Sequence, residues 1–270
     1  MGVMTPANRV QAAAAAGQVI LLVGIWLGGG AGPVALVAGV VYAIALSVLL
    51  AGALRRAGRA SLGPADLVTL GRAGLVGSVT ALVAEELVSG ASPTPALVGI
   101  AAVALALDAV DGRVARRTGT VSAVGARFDM EVDAFLVLVL SVHVAGIVGP
   151  WALAIGGMRY VFVAASWVLP WLRGPLPPNL AAKTVAALQG VALVVAAAEL
   201  LPPVISAGLV AVALALLCWS FGRDVLRLSH PRHAPATGRD CTDTSSGPMR
   251  SGTVQPSRSY SAMQRSTMAL

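Results

Sequence analysis

The sequence predicts an all-α polytopic membrane protein, and three observations carry that expectation. Of 270 residues, 57% are hydrophobic and only 11% are charged, whereas a soluble domain carries about 25% charged residues. Apolar windows of roughly 20 residues, long enough to cross a hydrocarbon core, recur along most of the chain. Gly- and Pro-rich turn signals separate them, among them "GGGAGP" near residue 30, "SGASPTP" near 92 and "RGPLPPN" near 176.

Eight spans follow in order: 11–30, 32–53, 67–90, 95–112, 123–148, 151–172, 181–200 and 203–222. The first lies in a stretch that partly resembles a signal peptide, but a second apolar run follows at once, so a retained span is expected. Together the first two form a transmembrane hairpin, residues 1–53. Residues 54–66, "LRRAGRASLGPAD", are short and basic and suit the interface among anionic headgroups. The remaining six spans occupy residues 67–228. From residue 229 the chain turns to Ser, Thr, Pro, Gly and Arg, the composition of a disordered tail.

Basic residues set the orientation. With the N-terminus in the cytoplasm, Arg9, Arg55, Arg56, Arg59, the Arg113–Arg117 group, Arg173, Lys183, Arg223 and Arg227 all fall at cytoplasmic ends. The opposite connections, near residues 30, 92, 149 and 202, contain no Lys or Arg. This is the positive-inside pattern. Both termini are expected in the cytoplasm. The skew to Ala, Val, Gly, Leu and Arg points to a GC-rich bacterium, hence to its cell membrane.

Other classes fit less well. The net charge of +7 comes from one Lys and eighteen Arg scattered between apolar runs, with no aromatic-interleaved basic surface, so no nucleic-acid partner is expected. Cys218 and Cys241 lack metal-ligand spacing and are expected as a buried thiol and a free tail thiol. His230 and His233 are expected to be solvated in the tail.

Against this background stands "DAVDGRVARRTGTVSAVGARFDMEVD", residues 108–133, with five acidic and four basic residues. Asp108 and Asp111 share one helix face, as do Asp129 and Asp133 on the next span. The two spans are antiparallel neighbours, so both pairs can face one cleft near the cytoplasmic helix ends. Four converging carboxylates repel one another unless cations neutralise them, and their hard oxygens suit Mg²⁺ or Mn²⁺. Two such ions about 4 Å apart would clamp a pyrophosphate for in-line displacement. Glu131 lies off that face and is expected to neutralise a nearby Arg. A non-catalytic or cation-transporting protein is the alternative, but its acids would be spread over several spans and depths.

The stretch resembles the CDP-alcohol phosphatidyltransferase family, whose D-x2-D-G-x2-A-R-x8-G-x3-D-x3-D pattern it matches at Asp108, Asp111, Gly112, Ala115, Arg116, Gly125, Asp129 and Asp133. The resemblance implies a six-helix core over residues 67–228, with the first two spans as an accessory hairpin. It also implies two Mg²⁺ or Mn²⁺ ions, a homodimer, and displacement of CMP from a CDP-linked lipid donor by a polar alcohol or alcohol-phosphate acceptor. Asp108, Asp111, Asp129 and Asp133 would then bind metal, with Asp133 also the base. Gly112, Ala115, Arg116 and Gly125 would line the nucleotide and phosphate site. "DLVTLGRAGL" resembles the family's first span and would set Asp66, Thr69 and Arg72 beside the nucleotide. "AAKTVAALQG" resembles its fifth, with Lys183, Thr184 and Gln189 on the acceptor side. By depth, Arg127 and Arg173 are further cations for an acceptor phosphate.

Two residues in the apolar spans call for partners. His143 is expected near the outer end of its helix, remote from the chemistry. Arg159, at membrane depth, is expected to pair with Glu85 or Glu86, with snorkelling outward or facing an acceptor phosphate as the alternatives, because an unpaired charge there is unfavourable.

Overall fold

The structure, a computed structural model, describes residues 6–28, 31–56, 64–90, 95–118, 123–169 and 180–229; the side chains of 6–11, 64–65, 109–118, 123–124, 180–183 and 227–228 fall outside that description. The described residues form eight α-helices and no strand. They are α1 (Pro6–Leu27), α2 (Pro33–Arg56), α3 (Pro64–Ser89), α4 (Pro95–Thr118), α5 (Ala123–Val148), α6 (Leu153–Val168), α7 (Leu180–Ala197) and α8 (Pro203–Ser229), with a 3-10 turn at Pro150–Ala152 before α6. Five of the α-helices open on proline, whose fixed φ and missing N–H suit the first helical position. At the other end, Gly90 adopts φ 65° and donates its N–H to Glu86 O at 2.9 Å, closing α3.

Five segments are long and apolar enough to cross a membrane: Pro33–Arg56, Asp66–Ser89, Gly125–Val148, Pro150–Val168 and Pro203–Leu226. Ala12–Leu27, Pro95–Asp108 and Thr184–Ala197 are shorter apolar helices. Several helices outrun their expected bounds: α1 starts at Pro6 rather than 11, α2 ends at Arg56 rather than 53, and α3 starts at Pro64 rather than 67. α4 continues past residue 112 to Thr118, and α8 continues past 222 to Ser229. Of the basic linker, 54–56 belong to α2 and 64–66 to α3. Residues 57–63 and the tail from 230 onward, with His230, His233 and Cys241, lie outside the described residues.

α3 is the central helix, with 67% of its apolar window buried against 17–39% for the other four long spans. α1, α2, α4 and α5 pack around it, while α6 and α7 pack on α5, and α8 on α7. Small residues permit this. Gly77 of α3 faces the Tyr42 ring and the Gln18 amide, and Gly156 of α6 faces Leu138 on α5; a Cβ at either would collide. Close backbone approach of this kind holds helices together where hydrocarbon offers no solvophobic drive. Val41, Leu49, Val161 and Val212 point outward, as a lipid-facing surface requires.

Several buried polar groups are paired across helices. Gln18 Nε2 donates to Gly39 O at 3.1 Å, joining α1 to α2. Ala35 N–H, in the first turn of α2, donates to Glu85 Oε2 at 2.8 Å, joining the hairpin to α3. Next to it, Glu86 Oε2 meets His143 Nδ1 at 2.6 Å. His143 lies near the C-terminal end of α5, as expected, and at 2% exposure it also ties that helix to α3. Arg159 corrects an expectation. Its partner is Glu131 on α5, at 2.6 Å, because α6 packs on α5 and leaves α3's glutamates to the other helices. Cys218, expected buried, is exposed on α8.

Candidate metal centre

Three helices build the site. α4 brings Asp108 in its second half, and α5 brings Asp129 and Asp133 in its first three turns. α3 brings Arg72, which is completely buried. Its Nη1 bonds Asp108 Oδ1 at 2.5 Å, while Nη2 bonds Asp129 Oδ1 at 2.5 Å and Asp133 Oδ1 at 2.7 Å. The planar fork of a guanidinium suits this divided grip. The three aspartate side chains keep 38%, 32% and 41% exposure, so the carboxylates open to solvent while the arginine floors the cleft.

One carboxylate oxygen from each of Asp108, Asp129 and Asp133 lies within 4.8 Å of the others. An all-oxygen, hard donor set of this kind suits Mg²⁺ or Mn²⁺. Charge argues the same way. Three carboxylates gather around one buried guanidinium at a half-buried cleft, and a divalent ion would add to that neutralisation.

The structure thus brings together three of the four expected aspartates. The fourth, Asp111, is carried three positions further along α4, with Gly112, Ala115 and Arg116 beyond it, but the side chains of this stretch and of Lys183 lie outside the description, and Arg173 lies outside the described residues. Gly125 stands one turn before Asp129, and Arg127 is half-buried on the same first turns of α5. On α3, Asp66 and Thr69 are buried at 7% and 5% exposure; Thr69 is three residues from each of Asp66 and Arg72 and so neighbours both on the helix surface. Asp66 sits in the first turn, where the helix dipole favours a carboxylate. Gln189 of α7 is 5% exposed, and its Nε2 has no hydrogen-bond partner among the described residues. Glu131 points away from the cleft to Arg159, as its position off the aspartate face required.

The sequence reading placed Arg72 at the nucleotide's edge and missed its hold on all three aspartates. A signal existed: an arginine inside an apolar span must find carboxylates, and the aspartates are the acids near its end of the bundle.

Fold and cleft together define a polytopic helical membrane protein with an acid-lined site competent for divalent cations. Residues 63–219, more than half of the chain, match the CDP-alcohol phosphatidyltransferase family, and the chain belongs to it. The matched region contains α3 through most of α8, and with them the whole aspartate cleft. No curated protein and no solved structure matches the chain. Membership defines an integral membrane phosphotransferase that moves a phosphatidyl-type group out of a CDP-alcohol.

Proposed function

We propose that this protein is a bacterial enzyme of phospholipid biosynthesis, transferring a phosphatidyl group from a CDP-linked lipid such as CDP-diacylglycerol to a polar alcohol or alcohol phosphate, with release of CMP. The observation that carries this reading is the approach of three carboxylate oxygens, from two helices, to within 4.8 Å inside the family-matched region.

Asp108, Asp111, Asp129 and Asp133 would hold two Mg²⁺ or Mn²⁺ ions, which would neutralise the carboxylates and stabilise charge on the pyrophosphate as it is cleaved. Asp133 takes the proton of the acceptor hydroxyl. The acceptor oxygen forms a bond to the phosphorus that bears the lipid, the bond from that phosphorus to the CMP oxygen breaks, and CMP leaves with the electron pair. Arg72, bonded to three carboxylates, fixes their side chains so that little reorganisation accompanies substrate binding. Asp66, Thr69, Gly112, Ala115, Arg116 and Gly125 border the nucleotide and its phosphates. Arg127, Arg173 and Lys183 receive a phosphorylated acceptor.

The cleft opens at the cytoplasmic interface, where a diacyl donor arrives from lipid and a polar acceptor from water. Residues 67–228 form the catalytic core and work as a homodimer, 1–53 an accessory hairpin, 54–66 an interfacial linker, and 229–270 a cytoplasmic tail.

The test is CMP release by purified protein from CDP-diacylglycerol, with a panel of acceptors that includes glycerol phosphate, inositol phosphate and serine. We expect release with Mg²⁺ or Mn²⁺, none with EDTA, and a loss on the order of 100-fold or more in Asp108→Asn and Asp129→Asn. Absence of CMP from folded wild-type protein across donors and acceptors would refute the reading.

A further inference from the structure

Outside the family-matched region, α1 and α2 leave between them an open groove of about 460 Å³, lined by Ala15, Ala16 and Val19 of α1 and by Val40, Ile44 and Val48 of α2. That volume falls within the range of small-molecule sites, about 300–1,000 Å³. The alanines create it, because side chains that stop at Cβ cannot fill the space beside valine and isoleucine. Ser47 is the polar residue of the lining, and its hydroxyl donates to Ala43 O at 2.7 Å. The wall is therefore hydrocarbon, with its hydroxyl proton already committed.

One end of the groove is charged. At about 100° per residue, Val40, Ile44 and Val48 span an arc of about 80° on α2, and Arg55 falls inside that arc two turns beyond Val48. Gly52, between Val48 and Arg55 in sequence, has open space where a Cβ would stand. Arg55 and Arg56 are both exposed. α1 brings Arg9 to the same end of the hairpin in its first turn. No Asp or Glu precedes Asp66 in the chain, so the hairpin carries this positive charge without a carboxylate of its own. At 1.5 Å per residue, Arg55 is about 10 Å from Val48 and about 22 Å from Val40. The path thus runs from a helix end into a hydrocarbon layer about 30 Å thick.

We propose that this groove binds one acyl chain of an anionic phospholipid whose phosphate is held by Arg55 and Arg56. Hydrocarbon alone gives no selectivity, since lipid tails are as apolar as the groove. Charge gives it: guanidinium and phosphate form charge-assisted hydrogen bonds, and each arginine near the surface adds to the attraction for an anionic headgroup. The chain supplies dispersion contacts that an empty groove forfeits. Behind the groove lies a cavity of about 10 Å³, lined by Ala15 and Ala43 and by Leu70 and Gly74 of α3, the residues two positions either side of Arg72. A bound lipid braces the hairpin against the helix that floors the aspartate cleft. The site lies on helices outside residues 63–219 and does not depend on the catalytic reading.

Native mass spectrometry of the purified full-length protein tests this, with phosphatidylglycerol and phosphatidylcholine of identical acyl chains as probes. The wild type should retain phosphatidylglycerol at least about tenfold better. Arg55→Gln combined with Arg56→Gln should bring the two lipids near parity, because the chain contacts remain while the charge is gone. Ala16→Leu, which fills the groove from an exposed position, should lower retention of both lipids several-fold. Val212→Leu, exposed on α8, should change neither. Phosphatidylglycerol should also raise the Tm of the wild type more than that of either groove variant. Equal retention of the two lipids by the wild type overturns the assignment, as does phosphatidylglycerol retention unchanged in the arginine or the alanine variant. If Ala16→Leu instead removes a second copy of the chain, or a protein of different mass, the groove belongs to that partner and the lipid assignment falls.

Discussion

Arg72 holds three carboxylates at once, so its loss should be felt before any substrate binds. Arg72→Ala leaves the aspartates facing one another without their buried counter-charge. Breaking a buried pair costs about 3–5 kcal/mol, and because these carboxylates keep about a third of their surface in solvent the cost here should be nearer 2 kcal/mol. The expected outcome is a lower Tm in EDTA, with Mn²⁺ raising the Tm of the variant more than that of the wild type, since the ion takes over part of the neutralisation. Equal Tm values in EDTA would show that the cluster does not depend on this arginine. Lysine should substitute poorly, because a point charge cannot divide two nitrogens among three acceptors.

At the scale of the helix, the close contacts of α3 are the sensitive ones. Gly77→Leu places a side chain where the Tyr42 ring and the Gln18 amide already stand. Overpacking of this kind costs about 1–3 kcal/mol, and a thermal melt of the solubilised variant should show the loss. Which helices exist, and that Asp108, Asp129 and Asp133 can meet across two of them, were legible in the sequence, while the ends of α4 and α8 were not. Apolar runs, Gly–Pro punctuation and the i, i+3 and i, i+4 spacings are local properties of one chain segment. Partner choice was not legible. Glu85, Glu86 and Glu131 are all acids near apolar spans, and only the rotation and neighbours of each helix decide that Glu85 meets the α2 N-terminus, Glu86 meets His143 and Glu131 meets Arg159. The exposure of Cys218 has the same origin: an apolar neighbourhood in sequence does not say which side of α8 faces the bundle. Arg72 likewise required knowing that α3 runs down the middle, between the hairpin and the helices of the cleft.

For the molecule as a whole, the first two helices are more closely joined to the core than an appended anchor would be. They cover the α3 face that holds Gly74, Gly77 and Ala81, and the α2 N-terminus occupies the Glu85 carboxylate. Removing residues 1–53 would leave that glutamate without its α2 partner. The shortened protein should therefore melt at a lower temperature than the full chain in the same detergent, and Glu85→Gln should recover part of the difference by removing the unpartnered charge. No change in melting temperature would mark the hairpin as separable. Its packing on α3, the helix that presents Arg72, gives the hairpin a role in holding the floor of the cleft.

Direct titration of Mn²⁺ by electron paramagnetic resonance bears most immediately on the central claim that aspartates from α4 and α5 form one divalent-cation site. The wild-type protein should bind Mn²⁺ saturably and release it to excess Mg²⁺, while Asp108→Asn and Asp129→Asn, one on each helix, should each lose at least about tenfold in affinity. Undiminished Mn²⁺ binding in both variants, with their folds intact, would contradict the account.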